Sequence, residues 1–203
     1  MAARRSAPRA EPARLRLDVD ERRRRLVALG LDLFSSRAYD DVSIDELAEA
    51  AGISKGLLYH YFPTKKDFYV AIVRAAAEQL LERTGRATAG EPMARLRAGL
   101  DEYLHHVGAH RRAYTALLRS GVGSDAEVAG VVDETRAALC ARLVEGIPTR
   151  GALVPVALRG WIGFVEATTL EWLDGRREAA PDVLRELFVD VLVCAIESAA
   201  RRS

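Results

Sequence analysis

All three lysines of this sequence, Lys55, Lys65 and Lys66, lie within twelve residues of one another, while arginine supplies the other 27 of its 30 basic side chains. Between them runs an unbroken ring-bearing stretch, Tyr59, His60, Tyr61 and Phe62. Ammonium, phenol and imidazole groups are directional donors that suit phosphate oxygens and base edges. Gly56 carries no side chain, so the backbone there can approach a bound molecule closely. Four consecutive rings point all round a helix, so they cannot all serve a core. A second group, Glu102, His106 and His110, stands at i, i+4 and i+8, a spacing that could hold zinc on one unbroken helix face. Gly108 lies between the histidines and is expected to break that helix, so no metal and no cofactor are expected. No Gly-rich phosphate loop, Cys/His nucleophile pair or paired-carboxylate motif is present, so no catalytic residue is expected and the chain does not read as an enzyme. The alternative function is a small α-helical enzyme or metal-binding protein using Glu102, His106 and His110.

The elements that would position these groups read as helices throughout. Seven prolines fall outside the long periodic runs, and nothing alternates with period 2 long enough to make a strand. A first helix is expected from Asp18 or Asp20 to about Arg37, burying Leu26, Leu29, Leu33 and Phe34. Ser43 and Glu46 form a Ser-x-x-Glu capping box opening a short helix with Ile44, Leu47, Ala48 and Ala51 inward. Gly52 ends it, and Ser54 caps a two-turn helix from Lys55 to about Tyr61. Pro63 breaks the chain, and Thr64 caps a long helix from Lys65 to about Arg83. Five more helices follow: Pro92 to Val107, His110 to Arg119, Asp125 to Glu145 (with Ser124 and Glu127 as a capping pair), Gly151 to Asp174 and Pro181 to about Arg201. Residues 1–17 are rich in Arg, Ala and Pro without helical periodicity and are expected to form a flexible basic arm. The expected division is therefore an arm over 1–17, a unit of short helices over 18–68 and a unit of longer helices over 69–203.

Two short helices joined by Ala50-Ala51-Gly52-Ile53 make a helix-turn-helix shape. The stretch Val42-Ser43-Ile44-Asp45-Glu46-Leu47-Ala48, continuing through Gly52-Ile53-Ser54-Lys55-Gly56-Leu57-Leu58-Tyr59-His60-Tyr61-Phe62-Pro63-Thr64-Lys65-Lys66-Asp67-Phe68, resembles the DNA-binding signature of TetR-family transcriptional regulators. The likeness is dense and ungapped from about Leu26 to Phe68. Beyond residue 85 it is a likeness of helix number alone, because that family's ligand domain varies freely. The resemblance implies an all-α fold of about nine helices, a DNA-binding dimer and a small-molecule effector. By position it implies that Ser43 bonds a phosphate and that Lys55 and Leu57 face base edges in the major groove, with Gly56 allowing close approach. Tyr59 and Tyr61 would hold phosphates, His60 phosphate or sugar, and Lys65 the flanking backbone. Leu58, Phe62, Leu29, Leu33, Phe34 and Tyr39 would form the small core behind them. Arg4, Arg5, Arg9, Arg14 and Arg16 of the arm are expected to add phosphate or minor-groove contacts.

In the C-terminal half, polar groups inside apolar helices mark a candidate effector site: Tyr103, His106, His110 and Tyr114, with Leu118, Trp161, Val165 and Thr169 completing a mostly apolar lining. Glu166 and Thr168 interrupt the same apolar run. Such a lining suits an apolar or aromatic effector. The last two helices carry apolar residues nearly all round, among them Val156, Trp161, Val183 and Leu187. A second buried face is expected to meet a twin helix in a homodimer, which would also read a palindromic operator of double-stranded DNA.

Bulk composition is silent on all of this. Thirty basic against 29 acidic side chains leave a formal net charge of +1. Residues 1–69 hold 13 basic and 11 acidic groups, so placement and not total marks the DNA-binding end: nine arginines fall in residues 1–25 and every lysine beside the second short helix. No apolar run approaches the roughly 20 residues of a membrane span. Two cysteines, Cys140 and Cys194, sit far apart in apolar stretches. A reducing cytoplasmic location is expected.

Overall fold

The computed structural model describes residues 11–202 except 38, 87–88, 120–124, 149–150 and 176–177, with 11–18 and 36 described at the backbone alone. Among the described residues the chain forms nine helices and no strand. They are α1 (Glu11–Ser36), α2 (Ile44–Ala50), α3 (Lys55–Tyr61), α4 (Lys65–Thr84), α5 (Pro92–Ala109), α6 (Arg111–Arg119), α7 (Ala126–Gly146), α8 (Val154–Asp174) and α9 (Pro181–Ala200). Helix α1 starts at Glu11, ahead of the expected Asp18 or Asp20, so residues 11–17 of the expected arm are helical. Good helix formers there, Ala, Leu and Arg, can extend a helix nucleated downstream. Residues 1–10, with Arg4, Arg5 and Arg9, and the side chains of Arg14 and Arg16 lie outside the described residues.

Local sequence explains where the short helices begin. The Ser43 hydroxyl accepts the Glu46 amide at 3.1 Å, while the Glu46 carboxylate accepts the Ser43 amide at 2.8 Å, closing the expected box. The Ser43 amide, followed by the Arg37 guanidinium and the Ser43 hydroxyl, holds the Glu46 carboxyl down at about 2. Thr64 and Asp67 repeat the device at α4. At α7 the cap is Asp125, whose carboxylate accepts the Glu127 amide at 3.0 Å; Ser124, expected in that role, lies outside the described residues. After α2 the chain reverses through a left-handed Gly52 with φ 63°. The Gly52 and Ile53 amides donate to the Glu49 and Ala48 carbonyls, a pairing that needs Gly52 itself in the left-handed conformation that glycine adopts freely.

Two apolar cores result. The first joins Leu26, Val27 and Phe34 of α1, Leu47 of α2, Leu58 of α3 and Phe62 to Phe68, Tyr69, Ile72 and Val73 of α4, and takes in Val128 and Val131 of α7. The buried stripe of α1 is Leu26, Val27, Gly30 and Phe34. Leu29 and Leu33, expected to be buried, are half-buried, because α1 turns its glycine face to α4. A Cβ on Gly30 would collide with the Ile72 side chain and stand 2.9 Å from the Phe68 ring. Packing across α4 continues past residue 68, so the first core does not end at the expected boundary. The second core fills the space between α5, α8 and α9 with Leu104, Val107, Leu158, Phe188 and their neighbours. The Trp161 indole donates to the Phe188 carbonyl at 2.8 Å, satisfying its one polar atom inside that core.

Helix α5 runs without a break through Gly108 to Ala109, contrary to the break expected there. A single interior glycine costs only about 1 kcal/mol of propensity, and burial of Tyr103, Leu104, His106 and Val107 outweighs it.

Candidate functional site

Helix α3 is seven residues long and leans on α2 through one fully buried residue, Leu58. Phe62, just past its end, packs on Phe68 at 4.7 Å between ring centroids, and the Arg23 guanidinium covers the other side at 4.9 Å. That anchoring turns Lys55, Gly56, Tyr59 and His60 to solvent, with Leu57 and Tyr61 half-buried. Lys55 and Tyr59 stand one turn apart and share a face. Ser43 is exposed at the start of α2, its hydroxyl already engaged as a cap. The outward face of α3 therefore presents an ammonium, phenols and an imidazole on a rod narrow enough for a major groove.

The lysines are not idle in the absence of DNA. The Lys55 ammonium bonds Asp45 of α2 at 2.9 Å, and this carboxylate raises the lysine's pKa. The Lys65 ammonium lies over the Tyr39 ring at 4.2 Å. Lys66 reaches away from α3 to Asp125 at 3.2 Å and Glu127 at 3.5 Å, at the start of α7. Asp45 and Asp125 were not singled out from sequence. Their partners lie ten and fifty-nine positions away, and only the packing of α2 on α3 and α4 on α7 brings them together.

A cavity of about 1220 Å³ lies between α1, the length of α4, and α5 to α9. Its wall includes seven of the eight expected effector residues: Tyr103, His106, His110, Tyr114, Leu118, Trp161 and Val165. Thr169, the eighth, lies behind the wall, fully buried, and accepts the Tyr103 hydroxyl at 3.2 Å. The Tyr103 and Tyr114 hydroxyls are 2.6 Å apart, so a Thr169–Tyr103–Tyr114 chain links α8, α5 and α6. Burial pushes the Tyr103 phenol up to about 12 and raises Tyr114 as well, so both remain neutral donors at physiological pH. His106 is 9% exposed, and its Nδ1 has no hydrogen-bond partner. Burial, seconded by His110, lowers it to about 4, which keeps the imidazole neutral. The His106 and His110 ring centroids lie 4.5 Å apart with their planes tilted by 38°, and the His110 Nδ1 bonds the His106 carbonyl at 2.9 Å. No group of three His, Cys, Asp or Glu side chains among the described residues is placed to hold a metal, so the Glu102, His106 and His110 spacing does not assemble into a site.

The sequence marked Glu166 as a polar interruption, but neither its partner nor the α1 part of the wall had a signal there. Arg136 of α7 grips Glu166 of α8 through Nε at 2.9 Å and a terminal nitrogen at 2.7 Å, which raises the arginine's pKa and keeps it charged. Ala28, Leu31 and Asp32 of α1 complete one end, so the cavity touches the helix whose Leu26 and Phe34 share a core with Leu58 of α3. Arginine pairing over thirty positions and a wall shared between units appear only once the helices are packed.

Together these features define a helix-turn-helix DNA-binding protein with an internal cavity. Residues 26–72 match the model described as bacterial regulatory proteins, tetR family, and residues 92–195 match that described as tetracyclin repressor-like, C-terminal domain. The chain belongs to the TetR family of transcriptional regulators. It is 30% identical to the HTH-type transcriptional repressor KstR of Mycolicibacterium smegmatis over 84% of this chain and 85% of that protein. It is 29% identical to the HTH-type transcriptional activator FasR of the same organism over 58% of this chain, spanning only 54% of that protein. A crystal structure of a tetR-family transcriptional regulator from Streptomyces coelicolor superposes with a TM-score of 0.81 at 34% identity, covering 91% of this chain and 84% of that one.

Proposed function

We propose that the protein is a dimeric repressor that binds a palindromic operator and is released by a small hydrophobic or aromatic effector. One observation carries this proposal. Helix α4 begins with Lys65 and Lys66 immediately after the recognition helix, and from Tyr69 to Gly85 the same stretch lines the cavity. A rigid helix shared by both sites is the element through which occupancy of one changes affinity at the other, and the coupling free energy is reciprocal. In this scheme Lys55 and Leu57 read base edges, and Gly56 lets the backbone close on them. Ser43, Tyr59, His60, Tyr61 and Lys65 engage phosphate and sugar, and the arginines of the N-terminal segment extend the footprint. DNA competes with Asp45 for Lys55 and with the Tyr39 ring for Lys65.

Dimerisation through α8 and α9 is supported by the apolar side chains those helices leave in solvent. Val156 is 65% and Val183 60% exposed, with Leu153, Leu187 and Val193 beside them. Pairing these faces across a two-fold axis would set two recognition helices one DNA turn, about 34 Å, apart. The neutral His106 imidazole and the neutral Tyr103 and Tyr114 phenols on the wall support a hydrophobic or aromatic effector. Repression is favoured over activation by the relative matched along most of both chains, which is named a repressor. The expected place of action is the cytoplasm; no helix among the described residues is long and apolar enough to cross a membrane.

The test is a mobility shift with the DNA upstream of the protein's own gene, across a salt series. Lys55→Ala should weaken binding and alter base preference, whereas Tyr59→Phe should weaken it uniformly across sequences. Removing residues 1–17 should lower the salt slope. Absence of a shift at low salt on every nearby palindrome would sink the proposal.

A further inference from the structure

The cavity is long. Its lining on α4 runs from Tyr69 to Gly85, which at 1.5 Å per residue is about 24 Å. Its volume of about 1220 Å³ exceeds the ~300–1,000 Å³ that suits a compact ligand. Its two ends differ in chemistry. At one end Pro92 and Gly146 form a rim beside two guanidiniums, with Glu91 and Glu145 also on the wall. Arg142 there donates to the Leu81 carbonyl at the end of α4. Arg95 is half-buried, its guanidinium 3.8 Å from where a Cβ on Gly146 would stand. At the other end the wall is Ala28, Leu31 and Phe34 of α1, Ala113 and Leu117 of α6, and Val131 of α7, with Asp32 and Ser35 of α1 and Arg37 just past it also on the wall and the Arg37 guanidinium already held by Glu46. Helices α1 and α6 pack on each other here, and both line the cavity with an alanine, Ala28 and Ala113.

We infer that the cavity takes a single elongated molecule, an unbranched hydrocarbon chain with one polar end at the Pro92–Gly146 rim, whose tail reaches the seam between α1 and α6. This rests on the effector reading above and deepens it. A chain of single bonds advances about 1.2 Å per bond when extended, so about 16 to 20 bonds span the cavity. A shorter chain fills the effector half and stops before α1. A longer one enters the seam, where α1 also packs against α4 at Gly30 with no spare room. Separating α1 from α6 shifts the helix-turn-helix unit against the effector unit. Chain length then decides whether binding is felt at the DNA, because the tail must reach α1 to have different contacts in the two states.

The experiment uses saturated fatty acids of about 6 to about 18 carbons, with 2-naphthoate as a compact aromatic control, and reads two quantities on the full chain. The first is the rise in thermal midpoint. The second is release of the protein's own upstream DNA in a mobility shift. In the wild type the midpoint should rise with chain length to the longest acids, and release of tenfold or more should appear only above about 12 carbons. In Ala113→Leu, which fills the seam from α6 without loss of helix propensity, the rise should stop several carbons earlier and release should vanish. Ala28→Leu, an exposed position on α1, should do the same from the other side and serves if the first variant folds poorly. Length-independent release, 2-naphthoate binding as tightly as the longest acid, no midpoint rise with any acid, or variants identical to wild type would each overturn the inference. Failure to bind DNA with no acid present counts against the regulator reading instead, and the midpoint series and the two variants still decide what the cavity holds.

Discussion

The Lys66 ammonium at the start of α4 stands 3.2 Å from the carboxylate of Asp125, which is also the N-cap of α7. One residue of the DNA-binding unit is thereby tied to the helix whose flank, at Thr135, Arg136 and Leu139, lines the cavity. The pair is exposed, so its contribution is to alignment more than to stability. Lys66→Met is expected to leave the far-ultraviolet dichroism and thermal midpoint nearly unchanged. It should reduce the factor by which effector changes operator affinity, measured as the ratio of dissociation constants with and without ligand. An unchanged ratio would remove this contact from the coupling.

Asp45 holds Lys55 when DNA is absent. Asp45→Asn keeps the size and place of the side chain but removes its charge. Operator affinity should rise, and the dependence of affinity on salt should steepen, because Lys55 then meets the DNA without first leaving a partner and adds fully to counterion release. Weaker binding by the variant, in titrations at two salt concentrations, would mean that Asp45 serves to orient Lys55 and not to restrain it.

His106 sets a pH dependence whose direction can be worked out. Its folded-state pKa is lowered from the ordinary 6.5 to about 4, chiefly by burial. Between these values the unfolded chain binds a proton that the folded chain refuses, so stability rises with pH across that window. It is fully present above about 6.5 and lost progressively as pH falls toward about 4. His106→Gln should flatten the change in urea midpoint between pH 7 and pH 4.5 relative to wild type.

The Thr169–Tyr103–Tyr114 chain should behave as a unit. Tyr103→Phe leaves the Thr169 and Tyr114 hydroxyls without their shared partner and is expected to cost about 1–3 kcal/mol. Tyr114→Phe leaves the Tyr103–Thr169 bond in place and should cost about 0.5–1.5 kcal/mol. Urea unfolding of both single variants and the double variant would show a sum larger than the double effect, since the bond between the two phenols is counted twice in the singles.

Removing Arg136 strands Glu166 in a site where both side chains are mostly covered, at 25% and 20% side-chain exposure. Arg136→Met is expected to lose about 1–2 kcal/mol, between the value of an exposed pair and that of a broken fully buried one. Glu166→Gln in the same background should recover part of the loss in urea unfolding, because the neutral amide no longer needs a counter-charge.

The sequence by itself determined the helices and most of their ends, because those are local matters. A capping box at Ser43 and Glu46, a glycine at 52, a proline at 63 and a 3.6-residue apolar stripe act over a few positions, and they read the same in any surroundings. Where local signals were weak, at the start of α1 and at Gly108, cooperative helix extension and burial decided instead. Tertiary structure alone decided what the polar residues do. It coupled Lys55 to Asp45, Lys66 to Asp125 and Arg136 to Glu166, sent Thr169 behind the wall that Tyr103 faces, and left the His106 Nδ1 without a partner. It also ran the cavity past the expected boundary at residue 68 to the wall of α1. Charge pairs form wherever packing brings side chains within about 4 Å, and a cavity is the space that packing fails to fill, so neither has a period or a motif to be read along the chain.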